Sequence, residues 1–200
     1  MNRFSFFRAP ISNVVPHATV RLRQIYNAVR GDYYREATEE LRRLCRRQKA
    51  GEVSRQEVQR FKAAHFDYAT FSGIFSRRRS DALVEHSGLL CFDFDHVDQW
   101  HSRGTPEGVY GLRYVLLNDK EVDFALIFRS PGGDGLKWVV PIDTSLADHA
   151  EWFDALACYV QHTYDIAPDP SGRDVTRACY LPWDPDVALR EDGGPIEFSY

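Results

Sequence analysis

Apolar and polar positions alternate with different periods in the two halves of the chain. In residues 1–80, apolar positions recur every three to four residues over about 18–30, 33–49 and 54–64, which predicts three helices. Gly31 and Gly51, one and two residues past the first two of these helices, should break them at their C-terminal ends. A short strand fits Arg3–Phe7, and residues 65–80, with Gly73 and a run of arginines, read as a loop. In the second half, short apolar runs are separated by longer amphipathic stretches. They predict a strand at 88–95, a helix near 106–118 and a strand at 122–129. After the turn SPGGDG they predict a strand at 136–142, a helix at 146–164 and a strand near 175–182.

This β-α-β-β-α-β order predicts an α+β fold: a helical N-terminal half packed with an RRM- or ferredoxin-like sheet. Such a sheet has strand order 4-1-3-2, with antiparallel neighbours throughout. Helices would cover one face and leave the other open to a substrate. The C-terminal end of the first strand would lie beside the N-terminal ends of the third and fourth, so motifs at those ends should meet.

Those ends carry the chemistry. Residues 88–95, GLLCFDFD, set Asp93 and Asp95 two apart, and alternate side chains of a strand share a face. Paired carboxylates repel unless a cation lies between them, which points to a hard divalent ion such as Mg²⁺ or Mn²⁺. In the turn, Ser130, Gly133 and Gly135 either let phosphate oxygens approach backbone N–H groups or form an ordinary long hairpin. Lys137 interrupts an apolar strand and requires an anion, either the acidic pair or a nucleotide phosphate. The segment DPSGRDVTR offers Asp174 to complete a metal site, with Asp169 as its rival, and Arg173 and Arg177 to neutralise a triphosphate. The bland alternative is a capped turn tied by an Asp–Arg pair. His96 is either a donor behind the acidic pair or structural, and Asp184 and Asp186 read as turn residues around Pro185. There is no G-x-x-x-x-G-K-[ST] segment, so the chain lacks the signature of a P-loop ATPase.

Charge sharpens the division between the halves. The net charge of −4 conceals 17 Lys+Arg against 7 Asp+Glu in residues 1–80, and 8 against 22 in residues 81–200. The basic residues concentrate in Arg42, Arg43, Arg46, Arg47 and Lys49, and again in Arg77, Arg78 and Arg79. They form either a solvated helix face with a basic loop, or a phosphate-binding surface beside an acidic module. On the second view Arg77, Arg78, Arg79, Arg43 and Arg47 contact nucleic acid. Cys45, Cys91, Cys158 and Cys179 form no C-x-x-C pair and are expected to be buried free thiols in a reducing cytoplasm. No run of eighteen apolar residues suits a membrane span, and the N-terminus lacks a secretory apolar segment, so the expected location is cytoplasmic. Two hundred residues fit one domain, with a basic helical part at 1–80 and an acidic part at 81–200.

The stretches GLLCFDFDHV, SPGGDGLKWVV and DPSGRDVTRACYLPWDPDV are similar to the three motifs of the VirE N-terminal-like domain family. That family in turn resembles the archaeo-eukaryotic primase, or primase-polymerase, superfamily. FSFFRAP, AVRGDYY and GIFSRRRSDALVEHSG extend the likeness over nearly the whole chain. The resemblance implies an RRM-like catalytic core with a D-x-D motif, a small-residue-x-His motif and a further acid. Asp93 and Asp95 match the first, and Asp174, or its rival Asp169, the last. Leu136-Lys137 stands where the primases carry histidine. The implied activity is metal-dependent nucleotidyl transfer from nucleoside triphosphates onto a primer along a single-stranded template, in replication of a plasmid, phage or other mobile element. The implied partners are single-stranded or primed nucleic acid and a helicase-like replication protein. The change at Lys137 keeps open an inactive nucleotide- or nucleic-acid-binding module, and a metal-dependent nuclease comes after that.

Overall fold

The computed structural model describes residues 2–102 and 104–190, and is a mixed α+β structure with five α-helices and antiparallel sheets. Strand β1 (Phe4–Phe7) pairs with β2 (Ala18–Val20) and with β3 (Tyr68–Thr70). Between them run α1 (Leu22–Arg30), α2 (Arg35–Lys49) and α3 (Arg55–His65). The helix expected from residue 18 therefore begins at Leu22, because Ala-Thr-Val hydrogen-bonds to β1 instead. The stretch read as a loop contains β3 and β4 (Gly73–Phe75); β4 pairs with β5 (Leu83–His86).

The second half supplies β6 (Leu89–Phe94), α4 (Gly108–Leu117), β7 (Leu126–Arg129), β8 (Leu136–Pro141), α5 (His149–Tyr164), β9 (Cys179–Tyr180) and β10 (Ala188–Leu189). Asp148 and Glu151 cap α5 reciprocally, each side chain accepting from the other's backbone N–H. The sheet order is β10-β7-β8-β6, so β6, β8 and β7 occupy the places expected for the first, third and second strands. The fourth place departs from the ferredoxin-like expectation. β9 pairs with β3 of the N-terminal sheet, and β10 adds to the opposite edge beside β7. β9 still lies alongside β6, with Cys91 and Cys179 sulfurs 3.8 Å apart.

Alternation along the strands builds two cores. Leu90, Phe92 and Phe94 of β6, with Trp138 and Val140 of β8, pack on Leu112 and Leu116 of α4 and Phe153 of α5. Leu89, Leu126, Phe128 and Val139 face the other way, onto Phe4, Val20, Val29 and Phe71 of the N-terminal half. The second face is thus covered, contrary to expectation. An apolar face of that size is stable only when buried. The sheet opens at one end, where Asp93 and Lys137 replace the apolar residues.

Among the described residues no helix is long and apolar enough to cross a membrane. Cys179 is buried and Cys45 and Cys91 are partly buried, whereas Cys158 on α5 is exposed, because it falls on that helix's solvent side.

Candidate metal and phosphate site

The β6–β8 register sets Asp93 directly opposite Lys137. Both are buried, at 5% and 4% exposure, and the Lys137 ammonium meets Asp93 Oδ2. Arg177, just before β9, donates to the same oxygen at 3.1 Å and to Asp169 Oδ2 at 2.7 Å. Burial works to discharge Lys137, but Asp93 outweighs it and holds the amine above its ordinary pKa. Burial likewise opposes the charge on Arg177, and Asp93 and Asp169 overcome it. Asp93 Oδ1, in contrast, is buried and has no hydrogen-bond partner among the described residues. A bare buried carboxylate oxygen is costly, so it marks a place where something else should bind.

Asp169 is brought there by its own backbone. Its N–H donates to the Asp93 carbonyl at 2.7 Å, and its carboxylate caps the turn at Pro170–Arg173 by accepting from Ser171 N–H at 2.9 Å. Burial raises the Asp169 pKa, but the Ser171 hydrogen bonds and Arg177 bring it below the ordinary carboxylate value. The turn is steadied from behind by a histidine relay. Gly88 N–H meets His86 Nδ1 at 3.0 Å, His86 Nε2 meets His149 Nδ1 at 3.1 Å, and His149 Nε2 meets the Gly172 carbonyl at 3.1 Å. Asp95, exposed at the end of β6, completes the group: Asp93, Asp95 and Asp169 offer oxygens within 4.8 Å of one another. Three converging carboxylates, one with a free buried oxygen, suit a hard divalent cation.

Asp174 is not part of this group. Its carboxylate accepts from Thr176 N–H and Oγ1 at 2.8 and 2.9 Å, closing a local turn, so its rival Asp169 takes the third acidic place. Arg173 is exposed and paired with Asp154 at 3.0 Å. The Ser130–Gly135 turn is tight, with Ser130 N–H donating to the Gly135 carbonyl at 2.8 Å and Gly133 N–H to the Ser130 carbonyl at 3.0 Å. Gly135 is required by close approach, since a Cβ there would lie 2.4 Å from the Phe94 carbonyl oxygen. The turn braces the end of β6: Val97 N–H donates to the Asp134 carbonyl at 2.8 Å, and His96 Nδ1 lies 3.1 Å from Asp134 Oδ2. His96 therefore links the acidic strand to the turn.

Of the arginine candidates, Arg78 reaches the site and packs over the Tyr68 ring at 5.1 Å. Arg77 is exposed, and Arg79 pairs with Asp81 at 2.8 Å. Arg43 pairs with Glu40, and Arg47 with Glu52 at 3.0 Å. Sequence reasoning missed Lys62 of α3. It stands over the Tyr180 ring at 5.0 Å, and burial, with help from the Lys137 charge, lowers its pKa against the pull of Asp93 and Asp95. Its only sequence signal was a lysine on the face of α3 that turns inward. Lys62, Arg78, Lys137 and Arg177 line a cavity of about 550 Å³ with Asp93 and Tyr180, a size suited to a small polar ligand.

Residues 60–188, well over half of the 200, match the family described as BT4734-like, N-terminal domain. The chain belongs to that family. The family is akin to the VirE N-terminal domain, so the likeness seen in the motifs holds at that level. The matched stretch runs from α3 to β10 and includes Lys62, Asp93, Asp95, Lys137, Asp169 and Arg177. No curated protein and no solved structure matches the chain.

Proposed function

We propose that this domain is a metal-dependent nucleotidyltransferase of primase-polymerase type, extending or starting a strand on a single-stranded template. The observation that carries the reading is the group of Asp93, Asp95 and Asp169, whose carboxylate oxygens lie within 4.8 Å of one another beside a cation-lined cavity that Asp93 also lines. Mg²⁺ or Mn²⁺ held by these three carboxylates would supply Lewis-acid stabilisation of phosphate charge. The chain's own groups do the rest. Lys62, Arg78 and Arg177 bind and orient a nucleoside triphosphate in the cavity. Lys137 holds the Asp93 carboxylate through its Oδ2, and the 170–173 turn holds Asp169 in place. Template and primer are single-stranded or primed nucleic acid, and unwinding belongs to a helicase-like replication partner.

One observation favours a second reading. Asp93 Oδ2 is already neutralised by Lys137 and Arg177, which suits a module that holds nucleotide or nucleic acid without turnover. Incorporation of a labelled nucleotide on primed and unprimed templates, with each metal in turn, separates the two. Asp95→Asn is the sound probe, because Asp95 is exposed, whereas loss of Asp93 strands a buried lysine. The wild-type protein is expected to make product, and Asp95→Asn to make at least about 100-fold less. Wild-type protein that binds triphosphate but makes no product under either metal is the binding module. Shortening of the oligonucleotide instead indicates a nuclease.

A further inference from the structure

Beyond Asp95, on the outer side of the glycine turn, three guanidinium groups converge. Arg42 and Arg46 lie four apart on one face of α2, and Arg129 ends β7. With Lys49, Gly132 and Gly133 they line a cavity of about 200 Å³. Arg129 Nε donates to the Gly133 carbonyl at 2.5 Å, and its backbone N–H to Asp184 at 2.6 Å. Arg42 lies along Gly133, whose φ of +88° and lack of a side chain admit it: a Cβ there would stand 3.1 Å from Arg42 Nε. Among the described residues that Nε is buried without a partner, and Nη2 reaches the Trp183 carbonyl at 3.4 Å. Among the described residues, none of the three guanidiniums has a carboxylate within 4.0 Å. The two carboxylates in the lining are engaged elsewhere, Asp98 with Lys49 at 2.8 Å and Asp134 with His96 at 3.1 Å. Like charges held together this way call for an anion.

The cavity neighbours the acidic site through shared lining residues. A middle cavity of about 480 Å³ shares Lys62 with the triphosphate cavity, and shares Cys45, Lys49, Gly132 and Asp134 with this one, while Asp95 lines its wall. Two tyrosines on α4, Tyr110 and Tyr114, are each 57% exposed and four residues apart, and the Arg129 guanidinium lies 5.8 Å over the Tyr110 ring. A volume near 200 Å³ is small for a nucleotide but holds one phosphate, and arginine forks match phosphate oxygens.

We infer that Arg42, Arg46 and Arg129 form a phosphate site for the backbone of a single-stranded nucleic acid, which Tyr110 steadies by base stacking as the strand runs past Asp95 toward the cavity at Asp93. The inference rests on the proposed reaction. Paired guanidiniums grip a backbone phosphate, and exposed aromatic rings beside a basic groove are the usual means of holding an unpaired strand.

The test is anisotropy of a fluorescent oligothymidylate over a range of salt. Arg46→Gln, Arg129→Gln and Tyr110→Ala are each compared with wild type and with Arg3→Gln. Arg3 carries an equal charge, pairs with Glu85 and lines none of these cavities. Each of the three site variants is expected to bind about 5- to 10-fold more weakly. Each arginine variant also lowers the slope of log K against log salt by about 0.7, and Arg3→Gln leaves it unchanged. Arg46 is exposed, so its variant folds even if Arg129→Gln does not. Unchanged binding and slope in Arg46→Gln overturn the site while leaving metal-dependent incorporation, measured separately, untouched. If the arginine variants lose a labelled nucleoside triphosphate but not the oligonucleotide, the site is not one for a strand. Absence of oligonucleotide binding by the wild-type protein overturns the site and the template role together.

Discussion

Lys137→Met is expected to destabilise the folded domain by about 3–5 kcal/mol, read from urea unfolding at pH 7. The side chain is nearly fully buried and faces Asp93 across the β6–β8 ladder. Without it, Asp93 keeps only Arg177, which is shared with Asp169. The penalty is therefore that of a buried carboxylate left underpaired, rather than the modest worth of an ion pair. The double variant Lys137→Met/Asp93→Leu should recover much of the loss, since removing both partners removes the uncompensated charge. Because the folded-state pKa of Lys137 is raised, its stabilisation is fully present below the unfolded value near 10.5 and fades only as pH rises through the folded one. Neutral pH thus shows the whole effect. A cost below about 1 kcal/mol would mean that the two side chains do not meet.

Asp184→Ala is expected to cost a similar 3–5 kcal/mol by the same measurement. Asp184 is 2% exposed and binds the Arg113 guanidinium of α4, the Arg129 N–H at 2.6 Å and the Asp186 N–H at 3.2 Å. Arg113 is itself buried, and it also donates to the Asp186 carbonyl at 2.8 Å. Removing the carboxylate strands that guanidinium in the interior and frees the end of β7. Asp184→Asn, which keeps the shape and can still accept from Arg129, should cost roughly half as much. An Ala variant as stable as wild type would show that this network carries no charge burial.

The legible parts of this fold were those with long periodic patterns. The strands around Phe92, Ile127 and Trp138 stood out because each is a run of apolar residues bounded by turns, and α5 because its amphipathic pattern is long. What escaped were elements of two or three residues: Ala18–Val20, Tyr68–Thr70 and Ala188–Leu189. Their strand character comes from a partner distant in sequence, which no local period records. The same reason explains why the second sheet face looked open. Its apolar side chains were visible, but not the N-terminal strands that cover them.

At the site, the D-x-D spacing drew attention to Asp93 and Asp95, whose oxygens lie within 4.8 Å of each other, and the isolated lysine in an apolar strand meets the Asp93 carboxylate. The choice between Asp169 and Asp174 was beyond local reasoning. It turns on a backbone hydrogen bond from Asp169 to Asp93, 76 positions away in the chain and settled by packing. Asp184 was indeed a turn residue, as Asp186 N–H shows, but its burial depends on Arg113 across the fold. Arg43 and Arg47 drew attention in the basic run, whereas the helix face that reaches the glycine turn is that of Arg42 and Arg46. Periodicity distinguishes the two faces, but only tertiary structure says which one looks inward.

The central claim is that Asp93, Asp95 and Asp169 together hold a divalent ion, and the direct test is Mn²⁺ binding to the metal-free protein, followed by electron paramagnetic resonance at neutral pH. The account predicts saturable binding by wild type, weakened at least about 10-fold by Asp95→Asn and by Asp169→Asn and little changed by Asp174→Asn. No saturable binding by the folded wild-type protein, or equal binding by all four proteins, contradicts it.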